Sequence, residues 1–255
     1  MRNKYFQKII IVIVLLSIAF FLTRIYPKLK KEKVVFNYKN TKLWAHRVNS
    51  IQKLNIVLNN FDGFELDVVY DLDKNIFDVN HPPAKSINLI LDNYLSSIDS
   101  INNYKLWIDF KNLNSKTKLN ALNRLNFIAA THKINPINII VESDNLTDLY
   151  EFKNAGYQIS FYLPSLHNLK SENLEQTITN INDQLKKNNN IYISSNCIDY
   201  QIMKEKFPKQ KKLLWVSGKI SKTSGIKTLT IINSIIKDKL VEVLLIPYYV
   251  NNFER

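Results

Sequence analysis

Five residues with the side-chain types of a phosphoryl-transfer site lie between positions 46 and 81 of the chain: His46, Arg47, Glu65, Asp67 and His81. Glu65 and Asp67 stand two positions apart in a strand-like run, so both carboxylates face the same side of the strand. Two acidic oxygens on one face suit a hard cation such as Mg²⁺ or Ca²⁺ better than Zn²⁺, which prefers nitrogen and sulfur. Each feature alone is typical of a solvated surface. Together, two imidazoles, an arginine and a carboxylate pair indicate metal-assisted phosphodiester chemistry.

Further candidates follow along the chain. The run Leu106–Phe110 contains Asp109, which alternates with Lys111 and therefore shares a strand face with it. Asp109 is a candidate third metal ligand, and Lys111 is a candidate phosphate clamp or proton-transfer group. The alternative is that Asp109 and Lys111 form an ordinary ion pair on the surface. Glu142 ends a fourth apolar run, and Trp215 lies in a seventh. We expect both to line a substrate pocket, with the barrel core as the alternative place for Trp215.

Apolar runs alternate with helix-like intervals from Thr41 onwards, which predicts an α/β fold. Eight strands are predicted, near Leu43–Ala45, Gly63–Val69, Leu106–Phe110, Ile137–Glu142, Gln158–Tyr162, Ile191–Ser194, Lys212–Val216 and Val243–Ile246. Seven helices are predicted, at Ile51–Asn59, Ile87–Ile101, Lys116–Lys133, Leu146–Asn154, Glu172–Lys187, Ile198–Phe207 and Ile226–Lys239, several with serine caps at Ser50, Ser86, Ser115 and Ser171. This pattern favours a (β/α)8 TIM barrel over residues 41–255. A doubly wound sheet is the alternative, but the first strand is followed by no glycine-rich loop. The candidate residues fall at strand ends, where barrel active sites lie.

The composition narrows the class of protein. With 255 residues, 45% hydrophobic and 22% charged, the chain is globular. The net charge of +13 comes from scattered lysines. We expect this charge to favour solubility and to attract anionic lipid or substrate, and we expect no nucleic acid partner. Cys197 is the one cysteine, which excludes an intrachain disulfide and a cysteine metal site. Four glycines leave no phosphate-cradling loop.

The N-terminus has the layout of an export signal. Residues 1–8 are basic, Ile9–Thr23 is an almost unbroken apolar run, and a lysine cluster follows it with no small-residue cleavage site. We therefore predict an uncleaved transmembrane signal anchor over residues 9–25 and a linker over residues 26–40. We therefore expect a single-pass membrane protein whose barrel is extracytoplasmic. The strong basic cluster after the apolar run would favour the opposite orientation.

The site residues resemble the glycerophosphodiester phosphodiesterase family, within the phospholipase C-like phosphodiesterases. That family has His-Arg after strand one, Glu-x-Asp on strand two, a second histidine in the next loop and Glu-x-Lys on strand three, matched here by His46-Arg47, Glu65-x-Asp67, His81 and Asp109-x-Lys111. The Trp215–Ser217 segment resembles the family's strand-seven Trp-Thr-x-Asn segment more weakly. The likeness is close over residues 43–111 and limited to the general pattern beyond them.

Several positions depart from that family. Val48 stands where glycine is usual, Asn49-Ser50 where Glu-Asn is usual, Pro82 where aspartate is usual, and Asp109 where glutamate is usual. The Asn-Ser and His-Pro-Pro elements resemble instead the menorin family, a divergent branch of the same superfamily. The spider-toxin-type phospholipase D enzymes share the histidine and metal layout as well.

The resemblance implies a metal-dependent hydrolase that acts on glycerophosphodiesters. Glu65, Asp67 and Asp109 would hold Mg²⁺ or Ca²⁺, while His46 and His81 act as acid and base. Arg47 and Lys111 would neutralise the charge that develops on phosphate. The alternatives are cleavage of lysophospholipids and a menorin-like or catalytically silent barrel that binds a phospholipid head group or a partner at the membrane.

Overall fold

Eight parallel strands close into a barrel in the computed structural model, which describes residues 13–14, 16–25, 41–186, 190–216 and 232–247. The strands are β1 (Leu43–His46), β2 (Gly63–Asp71), β3 (Ile76–Val79), β4 (Lys105–Phe110), β5 (Ile139–Ser143), β6 (Gln158–Tyr162), β7 (Tyr192–Asn196), β8 (Lys212–Trp215) and β9 (Val241–Pro247). All but β3 form the barrel, in chain order, and pairing of β1 with both β9 and β2 closes it. β3 pairs antiparallel with β2 and extends that strand outwards as a hairpin. The TIM-barrel prediction is therefore correct for this part of the chain.

Helices follow most of the barrel strands, as the sequence predicts. They are α1 (Ile51–Val57), α2 (Leu91–Ser96), α3 (Lys118–Thr131), α4 (Leu146–Asn154), α5 (Ser171–Leu185) and α6 (Tyr200–Lys206), with residues 232–237 also helical. Short 3-10 turns lie at Ile101–Asn103, Pro136–Asn138, Leu166–Asn168 and Cys197–Asp199. The helices cover the outer faces of the strands, and the main apolar core lies between the two layers.

Several predicted elements start at a different residue in the structure, and two of these shifts follow from the local backbone. The helix predicted from Ile87 begins only at Leu91, because Asn88 adopts a positive φ of 58° that a right-handed helix excludes. The strand predicted from Ile137 begins at Ile139, since Pro136–Asn138 forms a 3-10 turn instead.

The serine caps are correct at one position of four. Ser50 caps α1 by accepting the amide of Lys53 at 3.3 Å. Ser86 instead donates to Asp78 at 2.8 Å, and Ser171 is the first residue of α5 rather than its cap. Ser115 lies before the Thr117 cap of α3.

An apolar layer fills the lower barrel beneath the polar residues at the strand ends. It consists of inward-facing side chains of five strands: Trp44, Trp107, Ile140, Leu213, Val243 and Leu245. The indole of Trp44 lies over Gly63 so closely that a Cβ on this glycine would lie 2.4 Å from ring atoms. Glycine is thus required at the start of β2 by the packing of the barrel interior.

The N-terminal prediction is tested only in part. Residues 13–14 and 16–20 are helical and Phe21–Ile25 forms a π-helical turn. The side chains of Ile13, Val14, Leu16, Ile18 and Phe20–Leu22 are exposed. Among the residues that the structure describes, no helix is both long enough and apolar enough to cross a membrane. Predictions for residues 1–12, the linker at 26–40, Ser217 and the helix segment 226–231 lie outside the described residues.

Candidate active site

All nine residues that the sequence nominates line one cavity at the carboxyl ends of the barrel strands. The cavity has a volume of about 80 Å³. The sheet register brings the side chains together, because Asp67 pairs with Asp109 and Asp109 with Glu142 on successive strands. The lining consists of His46, Arg47, Glu65, Asp67, His81, Trp107, Asp109, Lys111, Glu142, Tyr162, Trp215 and Leu245.

The loop that leaves β1 carries two of these residues in a conformation held by Glu65. Arg47 has a φ of 54°, which is left-handed and costs a residue with a Cβ about 1–2 kcal/mol. In this conformation its backbone N–H donates to Glu65 Oε2 at 2.6 Å. The next amide, of Val48, donates to the Glu65 carbonyl at 2.8 Å. His46 Nε2 lies 3.8 Å from the same carboxylate oxygen.

Asp67 is the most heavily bonded carboxylate of the site and is 1% exposed. Its Oδ1 accepts from His81 Nδ1 at 2.7 Å and from Lys111 Nζ at 2.8 Å, and its Oδ2 accepts from Asn49 Nδ2 at 2.7 Å. Asn49 Oδ1 in turn accepts the Asp67 backbone amide at 3.0 Å. Burial alone would raise the pKa of Asp67, but the charge of Lys111 and these hydrogen bonds outweigh it and hold the pKa below its usual value.

The two partners of His81 fix its tautomer. A carboxylate can only accept, so Nδ1 donates to Asp67, and an arginine can only donate, so Nε2 accepts from Arg47 Nη2 at 3.2 Å. His81 thus has its lone pair on Nε2, where it accepts from Arg47 at the exposed side of the cavity. The arrangement is that of an oriented base, with the carboxylate setting the direction of the ring.

His46 is also neutral in this environment. Burial lowers the pKa of His46 to about 3, and the positive charge of Arg47 contributes in the same direction. Its side chain is 15% exposed, beside Glu65. The neutral ring of His46 therefore carries a lone pair on one of its nitrogens at neutral pH.

Lys111 lies between two carboxylates on neighbouring strands. Its ammonium forms an ion pair with Asp109, through a very short contact, and with Asp67. Burial opposes the charge of Lys111, but the two carboxylates outweigh burial and raise its pKa above the usual value. Burial raises the pKa of Asp109, Lys111 lowers it, and the charge of Asp67 adds to the rise.

Three carboxylates of the site can reach one cation. One oxygen each of Glu65, Asp67 and Asp109 lies within 4.8 Å of the others. Two ligands on opposite sides of one ion stand about 4.6–5.2 Å apart for Ca²⁺ and 4.0–4.2 Å for Mg²⁺, from bond lengths of about 2.3–2.6 and 2.0–2.1 Å. Burial raises the pKa of Glu65 well above its usual value, and the charges of Asp67 and Asp109 add to it. A divalent cation would relieve this repulsion, so the oxygen-only set fits Mg²⁺ or Ca²⁺.

The opposite wall combines aromatic rings with polar atoms that lack partners. Tyr162 and Trp215 stack with centroids 5.1 Å apart and planes 9° apart. Trp107 Nε1 and Glu142 Oε2 are buried and form no hydrogen bond with any described residue. Burial raises the pKa of Glu142 well above its usual value, and the nearby charge of Asp109 adds to this. Because buried polar groups are normally hydrogen-bonded, a polar partner at this wall would complete the pairing of both atoms.

Sequence reasoning missed several residues of the site. Asn49 and Tyr162 contact or line it, but an asparagine after a strand and a tyrosine at a strand end are too common to stand out. Trp107 lies two positions before Asp109 and so shares its inward face, a signal that alternation could have given. His167 donates its Nδ1–H to the buried Asp199 at 2.7 Å and does not line the cavity.

Solved structures share this barrel while differing in activity. A glycerophosphodiester phosphodiesterase from Parabacteroides distasonis is 16% identical, with a TM-score of 0.52 over 82% of this chain and 94% of that one. A phosphodiesterase from Oleispira antarctica, solved with its product sn-glycerol-3-phosphate, is 12% identical, with a TM-score of 0.54 over 80% and 92%. An orotidine 5'-monophosphate decarboxylase from Methanocaldococcus jannaschii is 15% identical, with a TM-score of 0.51 over 81% and 89%.

No protein-family model and no curated protein matches the sequence. At these identities the likeness establishes the barrel fold, which this chain shares with glycerophosphodiester phosphodiesterases. The reaction has to be argued from the side chains in the cavity.

Proposed function

We propose that the chain is a metal-dependent phosphodiester hydrolase that acts on glycerophosphodiesters. The observation that carries the proposal is the convergence of three carboxylates, two imidazoles and two cationic side chains on one cavity. Each group has a role in phosphodiester cleavage, and the resemblance of residues 43–111 to glycerophosphodiester phosphodiesterases supports the same reaction.

The cation, Mg²⁺ or Ca²⁺, would be held by Glu65, Asp67 and Asp109, and when bound it supplies a Lewis acid for a phosphoryl oxygen. Arg47 and Lys111 line the same cavity and bind the other anionic oxygens of the phosphate.

The two histidines divide the proton transfers. One imidazole takes the proton of the attacking hydroxyl, of water or of the neighbouring glycerol hydroxyl, and the other, when it carries a proton on both ring nitrogens, donates one of them to the leaving alkoxide. The Nε2 lone pair of His81 and the neutral ring of His46 both suit the first role, so either can begin the reaction as the base.

The unpaired wall of the cavity supports a hydroxyl-bearing alcohol as part of the substrate. Trp107 Nε1 is a donor, and a Glu142 carboxyl held neutral by burial offers both a donor and an acceptor, so a glycerol hydroxyl would complement this pair. The stacked Tyr162 and Trp215 offer an apolar face to the carbon atoms of the alcohol. The product bound by the phosphodiesterase from Oleispira antarctica, sn-glycerol-3-phosphate, is an alcohol phosphate of this kind.

The test is turnover of glycerophosphocholine and glycerophosphoethanolamine with Mg²⁺, with Ca²⁺ and with chelator. Release of glycerol 3-phosphate that depends on the cation and is lost in His46→Ala would support the reaction and its site. Lysophospholipids belong in the same assay, because their cleavage would indicate a lysophospholipase D-like activity. Turnover that chelator leaves unchanged would contradict the role of the metal.

A catalytically silent barrel is the second candidate function. The ammonium of Lys111 already neutralises two carboxylates of the cation site, which would suit a protein that binds a phospholipid head group or a partner at a membrane without cleaving it. The departures at Val48, Pro82 and Asp109 and the menorin-like Asn-Ser and His-Pro-Pro elements agree with this reading. Binding of a glycerophosphodiester without turnover under any metal condition would favour it.

We also propose that residues 9–25 attach the barrel, residues 41–255, to a membrane through the linker at 26–40, with the barrel extracytoplasmic. The exposed apolar side chains of the described part of this segment support attachment. Carbonate extraction of membranes that contain the full chain or residues 34–255 tests it. Release of the full chain into the soluble fraction would contradict the anchor, and protease access to the barrel in intact cells decides its side.

A further inference from the structure

Three successive backbone carbonyls in the loop after β1 accept hydrogen bonds from side chains of two different helices. Lys53 Nζ, from α1, donates to the carbonyls of His46 at 2.5 Å and of Arg47 at 2.6 Å. The hydroxyl of Tyr94, from α2, donates to the carbonyl of Val48 at 2.7 Å, in a fully buried position. The loop is thus bound on its carbonyl side by groups that take no part in the cavity lining.

The amide side of the same loop is bound to the cation site. The N–H groups of Arg47 and Val48 donate to the carboxylate and the carbonyl of Glu65. The left-handed Arg47 turns its amide towards that carboxylate, a conformation that a side chain with a Cβ disfavours. Because the loop carries His46 and Arg47, any shift of its peptide groups moves an imidazole, a guanidinium and a carboxylate oxygen together.

We propose that Lys53 and Tyr94 are positioning residues that hold the loop of His46 and Arg47 in its strained conformation, so that imidazole, guanidinium and Glu65 keep the geometry for hydrolysis. The inference rests on the proposed function for its catalytic consequence. It does not rest on that function for the restraint of the loop, which can be measured separately.

The contacts of Lys53 favour this role over an ordinary surface lysine. Its side chain is half-buried, and among the described residues its ammonium lies within ion-pair distance of no carboxylate. Its hydrogen bonds go instead to two adjacent carbonyls of a site loop. An ammonium group that loses its hydration and hydrogen-bonds only to carbonyl oxygens needs several well-directed hydrogen bonds to offset the lost water. These hydrogen bonds fix the loop in one geometry.

The chain contains a matched control at the other end of the barrel. Lys212 is fully buried, and its ammonium donates to the carbonyls of Phe207 at 2.9 Å and Gln210 at 2.7 Å. Lys212→Met removes the same type of contact as Lys53→Met, but from a loop that carries no site residue. A general effect of losing such a lysine would appear in both variants.

The experiment compares the full chain with its Lys53→Met, Lys53→Arg, Tyr94→Phe and Lys212→Met variants. Hydrogen exchange of the Arg47 and Val48 amides reports on the loop, and kcat and KM for glycerophosphocholine report on the reaction. Tyr94→Phe keeps the ring, whose centroid lies 6.2 Å from the centroid of the Phe64 ring, and loses only the hydroxyl.

We expect Lys53→Met to lose amide protection in the loop and to lower kcat about tenfold to a hundredfold, with a smaller change in KM. Tyr94→Phe should have a smaller effect of the same kind, and Lys53→Arg, which keeps several donors, should restore most of the rate and protection. Lys212→Met should leave both loop protection and kcat at the wild-type level.

The outcomes separate the two claims. If the wild-type chain hydrolyses nothing but Lys53→Met still loses loop protection, the proposed function fails and the restraint of the loop stands. Unchanged protection in Lys53→Met, or lost protection with unchanged kcat in an active protein, would overturn the positioning role. An equal loss of kcat in Lys212→Met would do the same, because the effect would then be one of general stability. Tyr94→Phe decides the matter should Lys53→Met fail to fold.

Discussion

Replacing Lys111 with methionine removes a positive charge from between two carboxylates and should destabilise the fold in a way that depends on pH. The Asp67 side chain is 1% exposed and that of Asp109 is 17% exposed, so neither charge is well solvated without its partner. Breaking a buried ion pair by removing one partner costs about 3–5 kcal/mol. Lys111 is 23% exposed and Asp67 keeps two other donors, so we expect a loss of about 2–3 kcal/mol in the free energy of unfolding near neutral pH.

The sign of the pH dependence follows from the carboxylates. In the wild-type protein the pKa of Asp67 is held below its usual value, so Asp67 contributes stability above pH 4 or so that is lost as the pH falls through its folded pKa. Without Lys111 the pKa of both carboxylates rises, and protonation relieves their repulsion at a higher pH. The gap in stability between Lys111→Met and the wild type should therefore shrink as the pH falls.

Urea denaturation at neutral and mildly acidic pH, with and without Mg²⁺ or Ca²⁺, measures both effects. Lys118→Met is the matched control, because Lys118 has the same 23% exposure and forms a 3.0 Å ion pair with the 6% exposed Asp148 outside the site. The cation should stabilise Lys111→Met more than Lys118→Met, since only the former frees two carboxylates beside Glu65. A gap that does not change with pH, or equal stabilisation of both variants by the cation, would refute the reasoning.

Three other substitutions test separate parts of the molecule. His46→Ala and His81→Ala should each lower kcat for glycerophosphocholine about 10²–10⁴-fold while the fold stays intact; full activity in both would remove the acid–base mechanism. Gly63→Ala should destabilise the fold by about 2–3 kcal/mol in urea denaturation, because the new Cβ would overlap the Trp44 indole; wild-type stability would contradict the packing described for β2. Glu142→Gln should be at least as stable as the wild type, because burial raises the pKa of Glu142 and its ionisation costs stability as the pH rises through that pKa. The urea midpoint of Glu142→Gln should therefore exceed that of the wild type by more as the pH rises. A difference that does not change with pH would argue against a Glu142 carboxyl group that is held neutral.

The barrel was predictable because its strands are buried on both faces and read as continuous apolar runs. All eight predicted barrel strands are present, and Gln158–Tyr162 agrees to the residue. The hairpin strand Ile76–Val79 was not predicted, because it is four residues long with alternating burial and resembles a loop. Its pairing with β2 depends on a turn at Asn75, where φ is 53°.

The candidate site was predictable to the extent that its chemistry resides in side chains. His46, Glu65, Asp67 and Asp109 carry charge or imidazole at alternating or strand-end positions, which a sequence displays directly. Lys53 acts on backbone carbonyls, and no pattern of residue types reveals that a helix lysine will reach back to the preceding loop. Contacts between side chain and backbone are therefore where the sequence says least about this site.

The two halves of the barrel contribute different parts of the site. The groups proposed to bind phosphate and a cation come from β1, β2 and β4 and the loops that follow them, whereas the wall proposed for the alcohol comes from β5, β6 and β8 together with Trp107 of β4. Barrels of this topology serve many unrelated reactions, so the fold alone does not identify the reaction. The phosphate and cation groups argue for the type of reaction, and the residues of the alcohol wall argue for the substrate. A change at Tyr162 or Trp215 could therefore alter which diester binds while the residues of the first three barrel strands keep the same chemistry. The closer family likeness over residues 43–111 accordingly supports the reaction more strongly than it supports any particular alcohol.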